Sequence, residues 1–274
     1  MRLQVLGSAA AEGVPAYFCE CPVCVDARTN KGRNLRRRTS YLIDSDTLID
    51  CGPDFARQRD EFRIETLSLR RILFSQSHKD HLDIYPFLMR QKRYSVVTQD
   101  LTIIADTAPL ERLRNETGCT FDEMHLTAKH ISPGQTLQDG DMTIFALRAT
   151  HAPVTTPLNY FITRNGKTIL IQNDSGWWND DTWDMAGDSG LKADLVVLES
   201  TTGFGRPDSA DHHLGVNSTV RFRDKLAEIG VITDATKCIV NHFSHHGDPR
   251  QERLDAFFLP KNMTPAYDGM IIDL

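Results

Sequence analysis

The chain has 274 residues, 40% hydrophobic and 25% charged, with 17 glycines, 12 prolines and a net charge of −6; this globular composition excludes disordered and fibrous classes and allows a substantial core. The acidic balance argues against a dedicated nucleic-acid binder, and no stretch approaches the roughly 18 apolar residues of a membrane span. The opening residues 1–13 lack the long apolar core of a secretory leader, so the expectation is a cytoplasmic protein without a membrane partner.

Short apolar runs predict strands over residues 3–6, 41–43, 47–49 and 72–74, and Asp44-Ser45-Asp46 supplies a hairpin turn between the second and third. Helical spacing covers residues 55–62 and 84–94. Strands are expected again at 101–104, 142–147, 160–163 and 167–171, with a helix near 110–114. The runs 195–198 and 238–240 are apolar throughout, as strands buried on both faces are, and 220–229 between them has helical spacing. Hairpins mixed with strand-and-helix units predict an α/β protein of two sheets packed face to face with helices outside. No linker tract or short-period repeat interrupts the chain, so one domain over residues 1–274 is the economical reading.

Six cysteines occur, and three crowd into Cys19-Glu20-Cys21-Pro22-Val23-Cys24. Thiols two and three residues apart can turn toward one point, and in a cytosolic protein such a group reads as a zinc site rather than as disulfides. Cys51, Cys119 and Cys238 have no close cysteine neighbour and read as buried small residues. The basic run Arg28, Lys31, Arg33, Arg36, Arg37 and Arg38 is either a solvated face or a phosphate anchor.

The segment Phe74-Ser75-Gln76-Ser77-His78-Lys79-Asp80-His81 carries the chemistry. It follows a predicted strand and offers two imidazoles and a carboxylate within four residues, the donor set that zinc or manganese favours. His125, His130 and His246 lack partners at such spacing and read as structural or surface residues.

This segment resembles the H-x-H-x-D-H signature of the metallo-β-lactamase superfamily, with Gln76 where the first histidine stands. Asp50 in Asp50-Cys51-Gly52 is similar to the family's buttressing aspartate. His151, Asp174 and His242 follow in order, each just beyond an apolar strand, and resemble the remaining ligands. The resemblance spans nearly the whole chain and implies an αβ/βα four-layer sandwich with two ions at one edge. Gln76, His78 and His151 would hold the first, Asp80, His81 and His242 the second, and Asp174 would bridge them. An amide oxygen is a poorer zinc donor than an imidazole nitrogen, so the first site is expected to be weakened or retuned toward manganese.

A narrower resemblance lies at the two ends. Gly7 to Ala16, the Cys19/Cys21/Cys24 triplet and Tyr267-Asp268-Gly269-Met270 are similar to the cyclic phosphodiesterases of the carbon-phosphorus lyase pathway. That subfamily implies a structural zinc on the three cysteines and His245, and a catalytic histidine, for which His213 is the best match and His212 its rival. The opening segment and the cysteine cluster also resemble protein B of pyrroloquinoline quinone synthesis, a non-hydrolytic alternative.

The expected function is metal-dependent hydrolysis of a small, anionic, cyclic or acyclic phosphodiester. Up to two active-site zinc or manganese ions would serve it, with Asp80 in the catalytic cluster and His213 acting as acid or orienting group. A lactone, a thioester or an RNA end are the alternative substrates. Nucleic acid is disfavoured by charge, and a homodimer is left open.

Overall fold

The computed structural model describes residues 1–151 and 156–274. The chain builds one sheet, crosses to a second and returns. Strands β1 (Arg2–Gly7), β2 (Ser40–Ile43), β3 (Thr47–Ile49), β4 (Arg71–Leu73), β5 (Leu101–Ala105) and β6 (Leu126–His130) form the first. The second contains β7 (Thr136–Asp139), β8 (Met142–Arg148), β9 (Leu158–Arg164), β10 (Lys167–Gln172), β11 (Leu195–Glu199), β12 (Lys237–Asn241) and β13 (Thr264–Pro265). The last strand, β14 (Ile271–Asp273), comes back to pair with β1.

The strand orders are β14-β1-β2-β3-β4-β5-β6 and β13-β12-β11-β10-β9-β8-β7. Each sheet runs through three antiparallel pairings and then three parallel ones. Both parallel halves therefore present carboxyl ends of strands, where open α/β sheets display ligands.

Helices α1 (Pro22–Asn30), α2 (Phe55–Phe62), α3 (Tyr85–Leu88), α4 (Thr107–Thr117), α5 (Asp180–Asp188), α6 (Val216–Glu228) and α7 (Gln251–Phe258) complete the chain. Strand alternation explains the layering. Leu195 and Val197 of β11 join the core between the sheets, while Val196 and Leu198 pack with Phe222 and Leu226 of α6 on the outer face. A third cluster seats Phe55 and Leu113 against Leu48, Ile72 and Ile103 of the first sheet. The layers are thus helix, sheet, sheet, helix.

Buried tyrosines tie the sheets together below the strand ends. Tyr41 donates from its hydroxyl to Asn173 Oδ1 (3.2 Å) and accepts from Asn241 Nδ2 (2.7 Å), and Tyr160 donates to the Phe74 carbonyl (2.7 Å). On the outer face of the second sheet Trp177, Trp178 and Trp183 surround Phe222, with ring centroids 4.6 to 5.6 Å from it.

Two expectations need correction. The helix predicted over 84–94 stops at Leu88. Beyond it few side chains are buried, and the Arg90 guanidinium donates to the carbonyls of Gln99, Met124 and His125, a tertiary tether in place of further helical turns. The basic run is a solvated face only in its first half, where Arg28, Lys31 and Arg33 are exposed. Arg36 is buried, donating to Ser8 Oγ, Gln251 Oε1 and two carbonyls while lying over Phe243. Arg37 and Arg38 pair with Asp268 and Asp54, and Arg28 donates to the carbonyls of Cys19 and Ala16. These side chains brace the amino-terminal loop.

Among the described residues no helix is long and apolar enough to cross a membrane.

Candidate metal centre

Strand ends deliver the site. Asp50 leaves β3, the loop 75–81 leaves β4, His151 follows β8, Asp174 follows β10, Glu199 ends β11 and His242 follows β12. Asp50, Asp174 and His242 adopt left-handed backbone angles (φ 59°, 49° and 60°), a conformation costing on the order of 1–3 kcal/mol for a residue with a side chain. Each turns sharply at its strand end. Gly52 lets the Asp50 turn lie against the loop: a Cβ there would stand 1.9 Å from the Asp80 carbonyl oxygen. Cys51 N–H donates to the His81 carbonyl and Asp83 N–H to that of Cys51 (2.8 and 2.7 Å).

Four of the predicted residues converge, since Asp80, His81, Asp174 and His242 offer ligand atoms within 4.8 Å of one another. His78 and His151 form a second group with the same Asp174. Gln76 is brought to this centre as well, its Nε2 donating to Asp174 Oδ2. His81 Nε2 stands 3.1 Å from both Asp80 Oδ2 and Asp174 Oδ2.

A layer of partners fixes these rings. Asp50 accepts from Ser75 N–H and Oγ–H (2.8 and 2.7 Å) and lies 2.7 Å from His81 Nδ1, which holds that proton on Nδ1 and turns Nε2 to the centre. His242 Nδ1 is 2.8 Å from Thr201 Oγ1, and Thr201 donates in turn to Glu199. Orienting partners of this kind are expected around metal-binding histidines. Glu199 and Thr201 were not anticipated from sequence. The available signal was Glu199 itself, a carboxylate ending the all-apolar run Leu195–Glu199 as Asp50 and Asp174 follow theirs.

Burial opposes charge on His81, yet Asp80 and Asp50 raise it well above its ordinary value, and burial of Asp80 is outweighed by His81, which holds that carboxyl at about 2. His81 Nε2, His242 Nε2 and Asp174 Oδ1 are buried without a hydrogen-bond partner among the described residues. Imidazole nitrogens and a carboxylate left in this state fit a divalent ion of the zinc or manganese type.

His213, placed by the loop between β11 and α6, lies 3.3 Å from Asp174 Oδ1 and 3.4 Å from Glu199 Oε2 through its Nδ1. Burial disfavours its charge, but Glu199 and Asp174 carry it up to about 9. His212 is exposed and does not line the pocket. The surrounding pocket, about 420 Å³, is also lined by Glu12, Ser244, His246 and Arg206. His246, exposed as expected, also borders this pocket.

Cys19, Cys21, Cys24 and His245 form a separate cluster within 4.8 Å. His245 Nδ1 faces the sulfurs of Cys21 and Cys19 at 3.4 and 3.7 Å, and Cys24 accepts from Ala16 N–H. Three thiols and one imidazole complete a closed tetrahedral donor set. His125 and His130 stand away from both groups beside Asp100 and Asp106. Cys51 and Cys238 are buried as expected, while Cys119 is half-buried.

The profile of the beta-lactamase superfamily domain matches residues 46–243, from the β2–β3 turn through the last histidine of the centre. The chain belongs to the beta-lactamase superfamily. Its metallo-β-lactamase fold is shared by Zn(2+)-bound PqqB from Methylobacterium extorquens (TM-score 0.76, 19% identity, 100% of both chains covered). A diphosphatase from the PhnP family superposes with TM-score 0.73 at 20% identity, over 100% of this chain and 97% of that one. In sequence this superfamily member is 27% identical over 285 residues to an octanoyltransferase of Porphyromonas gingivalis, covering 100% of the chain and 52% of that protein. The chain thus spans about half the length of that curated relative. Most members of the superfamily are metal-dependent hydrolases.

Proposed function

We propose that this protein hydrolyses a small phosphodiester. The observation that carries the reading is the pairing, in one pocket, of a cation-seeking cluster with His213 and Arg206, two groups suited to phosphoryl oxygens. Asp80, His81, Asp174 and His242 are the residues that would hold the ion. A divalent ion held there supplies Lewis acidity and a nucleophile from water at neutral pH.

The protein's own groups do the rest. His213, whose Nδ1 lies 3.4 Å from Glu199 Oε2, can donate to a phosphoryl oxygen or to the leaving oxygen. Among the described residues Arg206 is the sole lysine or arginine lining the pocket, and its nearest carboxylate, Asp211, is 3.9 Å away and largely exposed. A guanidinium so placed can grip a phosphate or a second anionic group of the substrate by two parallel hydrogen bonds. Likeness of fold to a PhnP-family diphosphatase supports phosphorus over carbon as the centre attacked.

A second reading, hydrolysis of an acyl compound, is favoured by the match to half of an octanoyltransferase. The test is parallel assay, with zinc or manganese, of bis(p-nitrophenyl) phosphate and an octanoyl thioester. Turnover of the diester supports the proposal. Turnover of the thioester alone replaces it with the acyl reading. An inert protein that retains its ions sinks both, in favour of a biosynthetic role such as that of protein B of pyrroloquinoline quinone synthesis.

A further inference from the structure

The loop that carries His78, Asp80 and His81 is fastened on one side by the Asp50 turn. A second fastening comes from a helix. Arg112 of α4 directs a single nitrogen, Nη1, to two carbonyls of the loop, that of Ser77 at 2.6 Å and that of Leu82 at 3.0 Å. These two residues bracket the three candidate ligands. Among the described residues neither carbonyl accepts from any other group.

The rest of the guanidinium is held by Glu116, whose oxygens accept from Nε at 2.8 Å and from Nη2 at 3.3 Å. An arginine four residues before a glutamate is the weaker order for such a pair on a helix, and a carboxylate in the last turn of α4 faces the negative end of the helix dipole. Helix stability therefore does not account for the pair. What it does is fix the plane of the guanidinium, so that Nη1, the nitrogen Glu116 leaves unused, meets the loop. The Arg112 side chain is only 14% exposed, and hydrogen bonds from a charged donor are stronger than neutral ones. The helix is itself anchored, because Leu113, next in sequence, is buried in the cluster of Ile72 and Ile103 on the first sheet.

We propose that Arg112 is a positioning residue of the metal centre: held by Glu116, it clamps the two ends of the loop 77–82 and sets His78, Asp80 and His81 in place before an ion is bound. The clamp acts through the backbone and is not itself a ligand. A loop without it must be ordered as the ion binds, and that ordering is subtracted from affinity. The loss falls on this centre alone, since the cysteine cluster takes no ligand from the loop.

The experiment is independent of which substrate is turned over. Zinc affinity of the centre is measured on full-length protein by chelator competition, with hydrogen exchange of the metal-free protein beside it. In Arg112→Gln the affinity is expected to fall by about 10-fold, the lower end of what an orienting partner contributes, with the ion on the cysteines retained. The amides of His81 and Leu82, which donate to the His78 carbonyl, should exchange faster. Arg112→Lys should recover part of the affinity, because a single ammonium keeps the charge but cannot serve Glu116 and both carbonyls in one plane. Unaltered affinity in a folded Arg112→Gln variant, or a loss shared equally by the cysteine cluster, overturns the proposal. Should that variant fail to fold, Glu116→Gln, at an exposed position, decides: a smaller fall in the affinity of the centre is expected, and no fall refutes the clamp.

Discussion

Asp50 Oδ2 stands 2.7 Å from His81 Nδ1, while the other carboxylate oxygen accepts from the backbone of Ser75, so one buried acid fixes both the ring and the loop that carries it. Replacing Asp50 by Asn keeps the size but weakens the acceptor for His81. Metal affinity is expected to fall by roughly 10- to 100-fold, the usual cost of losing an orienting partner. Competition with a chelator measures it, and unaltered affinity would show that His81 is oriented without Asp50.

His213 belongs to the reaction rather than to the ion. In His213→Ala, kcat on the diester should drop by roughly 100-fold or more, the size of a lost general acid, with metal content preserved. His212, exposed and outside the pocket lining, should tolerate the same change. Reversed outcomes for the pair would reassign the role.

Arg206 should act through binding. Arg206→Ala is expected to raise KM for an anionic diester by about 10-fold, and Arg206→Lys should recover only part of it, because a point charge does not reproduce the two-pronged contact. A KM that is unaffected while kcat falls would place the side chain elsewhere in the cycle.

The cysteine cluster should stabilise the fold and, through it, the pocket. Its His245 lies 4.0 Å from Glu12 by Nε2, and its ring centroid is 3.9 Å from that of His246, the rings tilted; both neighbours line the pocket. Glycine contacts lock this loop to that of Arg206: a Cβ on Gly203 would stand 2.5 Å from the Gly247 carbonyl oxygen. Cys21→Ser should therefore lose an ion, lower Tm and also raise KM. Loss of the ion with Tm unchanged would deny the structural role.

Far from the centre, Arg71 and Arg164 gather Asp46, Asp139 and Asp141 between the sheets. Burial would raise Asp46 and Asp139, but hydrogen bonds from Arg164, and from Lys129 and Arg71, hold both below the usual carboxylate range. A carboxyl depressed in the folded state contributes stability above its unfolded value, about 3.9, and loses it as pH falls through the folded one. Urea midpoints should thus decline below about pH 4, and Arg164→Gln should flatten that decline relative to the unaltered protein. Parallel curves would contradict the assignment.

The ligand series was legible because each member stands just past a run of apolar residues, where strand and turn periodicity part company; Asp174 after Lys167–Gln172 is typical. Gln76 was identifiable only as a departure. Its hydrogen bond to Asp174, 98 residues away, is a tertiary fact that spacing does not contain. Helix α1 was hidden by the cysteines that dominate its start, and α5 by its acidic, tryptophan-containing sequence; neither carries a long apolar stripe. The exact agreement at α2, residues 55–62, reflects a short helix whose buried Phe55 and exposed charges follow the expected spacing. Arg206 and Glu12 reach the pocket only because two loops distant in sequence are folded over it.

Trp177 and Trp178 follow the strand that delivers Asp174, and Trp183 of α5 packs against both. The backbone between them and Asp174 is pinned on both sides, Gly176 N–H donating to the Thr150 carbonyl beside His151 and Trp177 N–H to the Ala210 carbonyl before His213. All the indole emission of the molecule therefore originates from one ring cluster that a short stretch of chain joins to Asp174. Any rearrangement of Asp174 on taking up an ion will be read out as a change in intrinsic fluorescence, so the protein carries its own optical gauge of metallation, with no label required.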